Sequence, residues 1–231
     1  YCSSPSFARE VRKLNQKLAV EVKTLLEVPF DQDYWQQVAV QECPDGLPAP
    51  QSDDPAQWLF HGHPAKAEPS TVLQVAVGRL LGYTWPAEIG AEMILADSAR
   101  HWVARCGALT EYADESGIAC LSAMRGVPSA ANRLRRLLAA AFGSEWSTKK
   151  EQEFLAGASH TKKPVASIEM WLRERFFEEH CRAFHHRPFV WHIWDGLQDG
   201  FHVLVNSHKL GGTGGEGRRT LEALAYSYLG D

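Results

Sequence analysis

Several things are missing from this sequence of 231 residues. No stretch approaches the run of about 18 apolar residues that a membrane-spanning helix needs, so no transmembrane segment is expected. The start, YCSSPSFAREV, has no basic region followed by an apolar one and does not read as a secretory signal. There are five cysteines, an odd number, and no two are spaced as CxxC. A disulfide framework is therefore not expected, and a reducing cytoplasm is the predicted setting. There is no GxSxG and no HExxH, which removes the commonest hydrolase and zinc-protease signatures. There is also no excess of positive charge. The formal net charge is −4, which argues against a free-standing nonspecific DNA binder but not against a local basic face. The first residue is Tyr1 rather than Met, and the last, in AYSYLGD, fall in a helical pattern. Both ends predict a piece of a longer polypeptide.

The residues present predict a mainly α fold: a helical module of roughly eight helices with a small β-hairpin or sheet near the C-terminus. Phe7, Val11, Leu14, Leu18, Val22 and Leu25 recur at three- and four-residue intervals and predict one long helix over 7–26. PFDQDYWQQVAVQE predicts a shorter helix capped by Asp31 or Asp33. Residues 43–55, with four prolines, read as a loop. Asp54-Pro55 predicts a short helix after it. Two regions follow from this: N-terminal helices and a Pro-rich loop over 1–66, and a helical domain over 67–231, unless the chain is one continuous domain. VLQVAVGRLLGY is apolar nearly all round and predicts a buried helix opened by Ser70 or Thr71. AEIGAEMILADSARHWVARCGAL predicts another helix, and ESGIACLSAM is a short apolar run in an irregular region. Ser129 and Gly143 bracket a helix over AANRLRRLLAAAF. Thr148 with Glu151 suggests a capping box, and Ser167 opens IEMWLRERFFEEHCRAF, expected as a single helix. ASHTKKPVAS between them reads as a loop.

Residues 187–205, RPFVWHIWDGLQDGFHVLV, predict the hairpin at about 189–205. Pro188 stops the helix before it, and FVWHIW and FHVLV carry β-branched and aromatic residues on both sides of a DGLQDG turn. Apolar residues on both faces predict that both touch protein, giving Trp191 and Trp194 a core role in preference to a stacking platform for bases.

GTGGEG at 212–217 matches GxGxxG, but no βαβ unit surrounds it, so a plain flexible loop is the better reading. His61 and His63 flank Gly62, and His180, Cys181, His185 and His186 cluster. Neither group has the paired ligand spacing of a zinc site, and no metal residue is assigned. Asp53, Asp54, Glu178, Glu179, Asp195 and Asp199 read as caps, turn formers and solvated faces. Lys162, Lys163, Arg187, Arg218 and Arg219 are the candidates for contact with a DNA backbone.

IEMWLRERFFEEHCRAFHHRPFVWHIWDGLQDGFHVLV resembles the segment that follows the catalytic core in large adenine-specific N6 DNA methyltransferases. These are the PglX-type enzymes of BREX systems, the DISARM methylases and the type IIG restriction–modification enzymes. In that family a helix runs into an Arg-Pro-aromatic strand, a turn ending in Gly-aromatic, and a second strand. VLQVAVGRLLGYTW, RLRRLLAAAFG and EVRKLNQKL resemble flanking helices of the same family, in the same order. The resemblance implies a restriction or phage-defence protein. It also implies S-adenosylmethionine as cofactor of the parent enzyme, DNA as its substrate, and a catalytic methyltransferase domain elsewhere in the polypeptide. The family's Asn-Pro-Pro-aromatic tetrapeptide is absent, there being no Pro-Pro pair, and no strand leads into a cofactor loop. No catalytic or cofactor-binding residue is therefore carried over. The expectation is a non-catalytic DNA-recognition or scaffold region. The alternative is a protein-interaction module that docks partner subunits of a defence complex.

Overall fold

The computed structural model describes the chain except residues 3, 18–19, 45–61, 90–96, 125, 159–164, 185 and 229–231. Two compact units are present, Tyr1–Pro48 with Ile94–Asp97, and Ala49–Met93 with Ser98–Asp231.

The first unit holds α1 (Pro5–Leu14), α2 (Val22–Leu26) and α3 (Gln32–Glu42). The long helix expected over 7–26 is broken. Asn15 leaves the helix in an extended conformation, and its Oδ1 accepts the Lys17 N–H, a local bond that competes with the helical ladder. Among its described residues only Val11 and Val28 are buried, while Leu14, Val22 and Leu26 are exposed. Tyr1 fills the middle of an aromatic cluster, 4.9 Å from Trp35, 5.1 Å from Phe7 and 5.3 Å from Phe30. Asp31 caps α3, accepting the Tyr34 N–H at 3.0 Å.

The second unit is built around α4 (Val72–Leu80), every residue of which is buried. Then come α5 (Pro86–Ile89), α6 (Asp97–Gly107), β1 (Ile118–Cys120), α7 (Ala130–Phe142), α8 (Thr148–Ala158), α9 (Ile168–Glu174), α10 (Phe176–Ala183), β2 (Val190–Trp194), β3 (His202–Asn206), α11 (Ser207–Leu210) and α12 (Glu216–Glu222). A π-helical turn, Ala223–Tyr228, extends α12. The architecture is thus mainly helical with a small antiparallel sheet near the C-terminus.

Ser129 and Ser167 cap α7 and α9 as their sequence positions predict. Ser147, not Thr148, caps α8 by accepting the Lys150 N–H. The expected capping box does not form: with Ser147 as N-cap the third helical position is Lys150, and the Glu151 carboxylate takes Arg135 of α7. The single helix expected over 168–184 is two, separated at Arg175, whose φ of −125° is not helical.

The sheet has three strands in the order β1-β3-β2, both pairings antiparallel. The third strand, β1, comes from the apolar run that the sequence leaves irregular. All of β3 is buried. Ala119, Val190 and Leu204 face a core shared with Leu73, Leu134, Leu155, Trp171 and Phe176. Ile118, Cys120, Val203 and Val205 face a smaller cluster closed by Leu224, with Ile193 and Tyr228 at its margin. The expectation that both faces of the hairpin touch protein holds for β3. It fails for the tryptophans, since Trp191 is 49 % exposed and Trp194 53 %. Placing β3 in the centre makes β2 an edge strand, and the helical cover that buries Val190 is lost towards the turn.

Candidate functional site

The densest polar chemistry lies where α4 and α10 meet β2. His180 on α10 is buried, with Nδ1 3.1 Å from Gln74 Oε1 and Nε2 accepting the N–H groups of Phe189 (3.2 Å) and Val190 (3.1 Å). Two donors on Nε2 leave no place for a proton there, so the proton sits on Nδ1 and is donated to Gln74. Gln74 Nε2 in turn donates to Phe176 O. Burial lowers the His180 pKa to about 3, so the ring is neutral. Tyr83 Oη and Ser207 Oγ both donate to Phe189 O, at 2.6 and 2.7 Å. The strand start is thus fastened from three elements.

A second histidine pair sits near the turn. His192 Nε2 lies 2.9 Å from His202 Nδ1, and His202 Nε2 lies 3.1 Å from Leu197 O. A carbonyl only accepts, so His202 carries its proton on Nε2 and His192 donates to its Nδ1. Burial, and then the neighbouring His202, lower the His192 pKa to about 4. Trp194 stacks on His202, with ring centroids 5.4 Å apart. Asp195 closes the turn by accepting the N–H groups of Leu197 and Phe201, which hold its carboxyl below the ordinary range.

Several charged groups among the described residues of this unit are paired within it. Arg79 is buried against Glu88 in a two-point contact and donates to Gly62 O. Arg133 joins Asp114 (2.9 Å), and Arg135 bridges Glu151 and Glu169 across α7, α8 and α9. Glu179 accepts the indole N–H of Trp171, and burial raises its pKa. Burial raises the Cys106 and Cys120 thiols to about 11, which leaves them unreactive.

Lys162 and Lys163, and with them the expected loop, lie outside the described residues, as do Asp53, Asp54, His61 and His185. Arg187 is exposed just before β2. Arg218 and Arg219 are exposed on α12, and Arg218 is paired with Glu222 at 2.7 Å. His63 caps a 3-10 turn through Nδ1, with its pKa lowered to about 4 first by burial and then by Arg105 and Arg79. No group of three or more His, Cys, Asp or Glu among the described residues is placed to hold a metal ion.

GTGGEG is tighter than the flexible loop expected. Gly214 and Gly215 have φ of +64° and +86°, and α12 begins at Glu216. A Cβ on Gly217 would collide with the carbonyl of Leu210, so this glycine lets α12 approach α11. The motif is consumed by backbone packing.

Among the described residues the buried Nε atoms of Arg173 and Arg175 have no partner, and the outer edge of β2 is open as well. The flanking bonds Ser207 N to Phe189 O and Asp195 N to Phe201 O fix the parity of the ladder, so odd residues of β2 bond to β3. The backbone groups of Val190, His192 and Trp194 point outward. Among the described residues only the Val190 N–H of these groups finds a partner, in His180. The opposite edge is different, because Ile118 of β1 gives its outward N–H to Asp114 and its carbonyl receives Arg133.

No sequence motif marks these groups. His180 meets Gln74 across 106 positions and His192 meets His202 across ten, and neither pair follows a recognised spacing. No helix of the described residues is long and apolar enough to cross a membrane. Comparison of the chain with family models, with curated proteins and with solved structures found no match.

Proposed function

We propose that this chain is a non-catalytic scaffold region of a DNA N6-adenine methyltransferase in a restriction or phage-defence system. Its work is to hold other parts of that enzyme in register. The observation that carries the reading is the run 168–205, whose residues resemble the segment after the catalytic core of such enzymes. In the structure this run is two helices, α9 and α10, then β2 directly after Arg187-Pro188-Phe189, a turn ending in Gly200-Phe201, and β3. The chemistry around it fits a brace. His180, Gln74, Tyr83, Arg79 and Arg135 all have partners inside the unit and serve its framework. In this reading S-adenosylmethionine and the target adenine belong to the catalytic part of the parent polypeptide. Contact of Lys162, Lys163, Arg187, Arg218 and Arg219 with the DNA backbone is a subordinate part of the proposal.

The test is direct. This chain alone is expected to transfer no methyl group to adenine-containing duplex DNA and to give no heat with S-adenosylmethionine in calorimetry. Methyl transfer by the chain alone sinks the non-catalytic reading. A flanking polypeptide without an Asn-Pro-Pro-aromatic run sinks the methyltransferase reading.

One observation favours a second reading, a module that docks partner subunits of a defence complex. Trp191 and Trp194 stand half exposed on an edge strand, and tryptophan is enriched in the centres of protein interfaces. Retention of DNA by the wild-type chain, lost on charge reversal of Lys162, Lys163, Arg218 and Arg219, favours the DNA-contacting scaffold; unchanged retention favours docking.

A further inference from the structure

We infer that the open edge of β2 is a self-association surface, on which a second copy of this chain adds its own β2 in antiparallel pairing. The two three-stranded sheets would then join into one of six strands. The inference does not depend on the methyltransferase reading.

Three observations carry it. The first is the contrast between the two edges of the sheet. The β1 edge is closed at Ile118 by Asp114 and Arg133, whereas β2 leaves the outward groups of His192 and Trp194 without a partner among the described residues. Free N–H and C=O groups along an edge strand are a template for another strand. The second is the apolar cover on both sides of that edge. Trp191 and Trp194 lie on opposite faces of the sheet and both are about half exposed. A strand laid along the edge brings its side chains against both, whereas a flat ligand stacked on one face meets only one.

The third is charge. At the start of β2 stands Arg187, exposed and without an ion pair among the described residues. At the far end stand Asp195 and Asp199, the latter 99 % exposed and held only at 3.8 Å by Arg173. Antiparallel pairing about a two-fold axis puts the start of one strand beside the end of the other, so Arg187 of each copy meets the acidic end of its mate. An isologous contact needs such self-complementarity, and a parallel arrangement would set like charges together.

The experiment is sedimentation velocity of the chain across a dilution series, with amide hydrogen exchange measured at both ends of the series. The expected result is a reversible dimer, with the His192 and Trp194 amides protected at high concentration and exchanging freely on dilution. Trp191→Lys with Trp194→Lys should yield a monomer whose circular dichroism and melting match wild type. Arg187→Asp and Asp199→Arg should each weaken the dimer alone and restore it when mixed in equal amounts. A chain that stays monomeric throughout the series overturns the proposal. So does a dimer indifferent to both tryptophan changes. Protection of the two amides that does not vary with concentration in a monomeric parent enzyme overturns it as well, assigning the edge to another part of that polypeptide.

Discussion

Gln74 Oε1 and His180 Nδ1 lie 3.1 Å apart in the interior, joining the buried helix α4 to α10 at the point where β2 begins. Because His180 Nε2 also takes the Phe189 and Val190 amides, one neutral ring orders three elements. Replacing Gln74 by Leu removes the acceptor and leaves a buried N–H unpaired, at a cost of about 1–3 kcal/mol. His180→Ala adds a cavity and two orphaned amides and should cost about 3–5 kcal/mol. Urea denaturation of the two variants, compared at equal m-value, checks the order of the effects.

Acid should weaken this protein early. His63, His180 and His192 have folded-state pKa values lowered to about 4, 3 and 4, against 6.5 for a free imidazole. Each contributes stability that is complete above pH 6.5, where both states are neutral. It is lost as pH falls through the window from 6.5 to about 4, because the unfolded chain takes up protons the folded one refuses. With three such groups the slope approaches three protons, or about 4 kcal/mol per pH unit near pH 5. Thermal melts from pH 8 to pH 4.5 measure it, and His192→Gln should flatten the slope by about one proton.

His186 is the one described non-glycine residue with a positive φ, at 60°, where the chain turns from α10 towards β2. Its N–H reaches back to Cys181 O at 2.7 Å and the next N–H to Phe184 O at 2.8 Å, as in a left-handed helix cap. Glycine fits such a position without strain, so His186→Gly should stabilise by up to about 1 kcal/mol, while His186→Val should destabilise by about 1–2 kcal/mol. Differential scanning calorimetry resolves shifts of this size.

The glycines of GTGGEG give a test that separates packing from ligand binding. Gly217→Ala should destabilise by more than about 1 kcal/mol, because its Cβ meets the Leu210 carbonyl. Gly214→Ala, with open space around it but φ of +64°, should cost about 1 kcal/mol from backbone strain alone. Neither variant, nor wild type, should shift its melting temperature on addition of a nucleotide. A nucleotide-dependent shift lost in Gly217→Ala would overturn the packing assignment.

The helices were legible wherever their own residues carry the instruction. Ser129, Ser167 and Asp31 each satisfy a free N–H three positions on, and Gly143 takes the positive φ that ends α7. The breaks at Asn15 and Arg175 were not legible, since the apolar stripe runs on through both. At Asn15 a side-chain bond displaces the helical one. At Arg175 the backbone departs from helical geometry between the packed rings of Trp171 and Phe176. The hairpin was readable from alternation, but its inside and outside were not. Periodicity shows that Trp191 and Trp194 point opposite ways without showing whether anything covers them.

Composition and local pattern by themselves determined the helical class, the caps, the hairpin and the absence of a spaced metal or hydrolase motif, because these depend on residues within a few positions of one another. Tertiary structure alone decided that Ile118–Cys120 joins the sheet. It also decided that β3 rather than β2 lies at its centre, and that His180 and His192 stay uncharged. Those outcomes depend on which strand finds two neighbours and on which imidazole loses its water, and both are set by chain segments up to about a hundred positions apart.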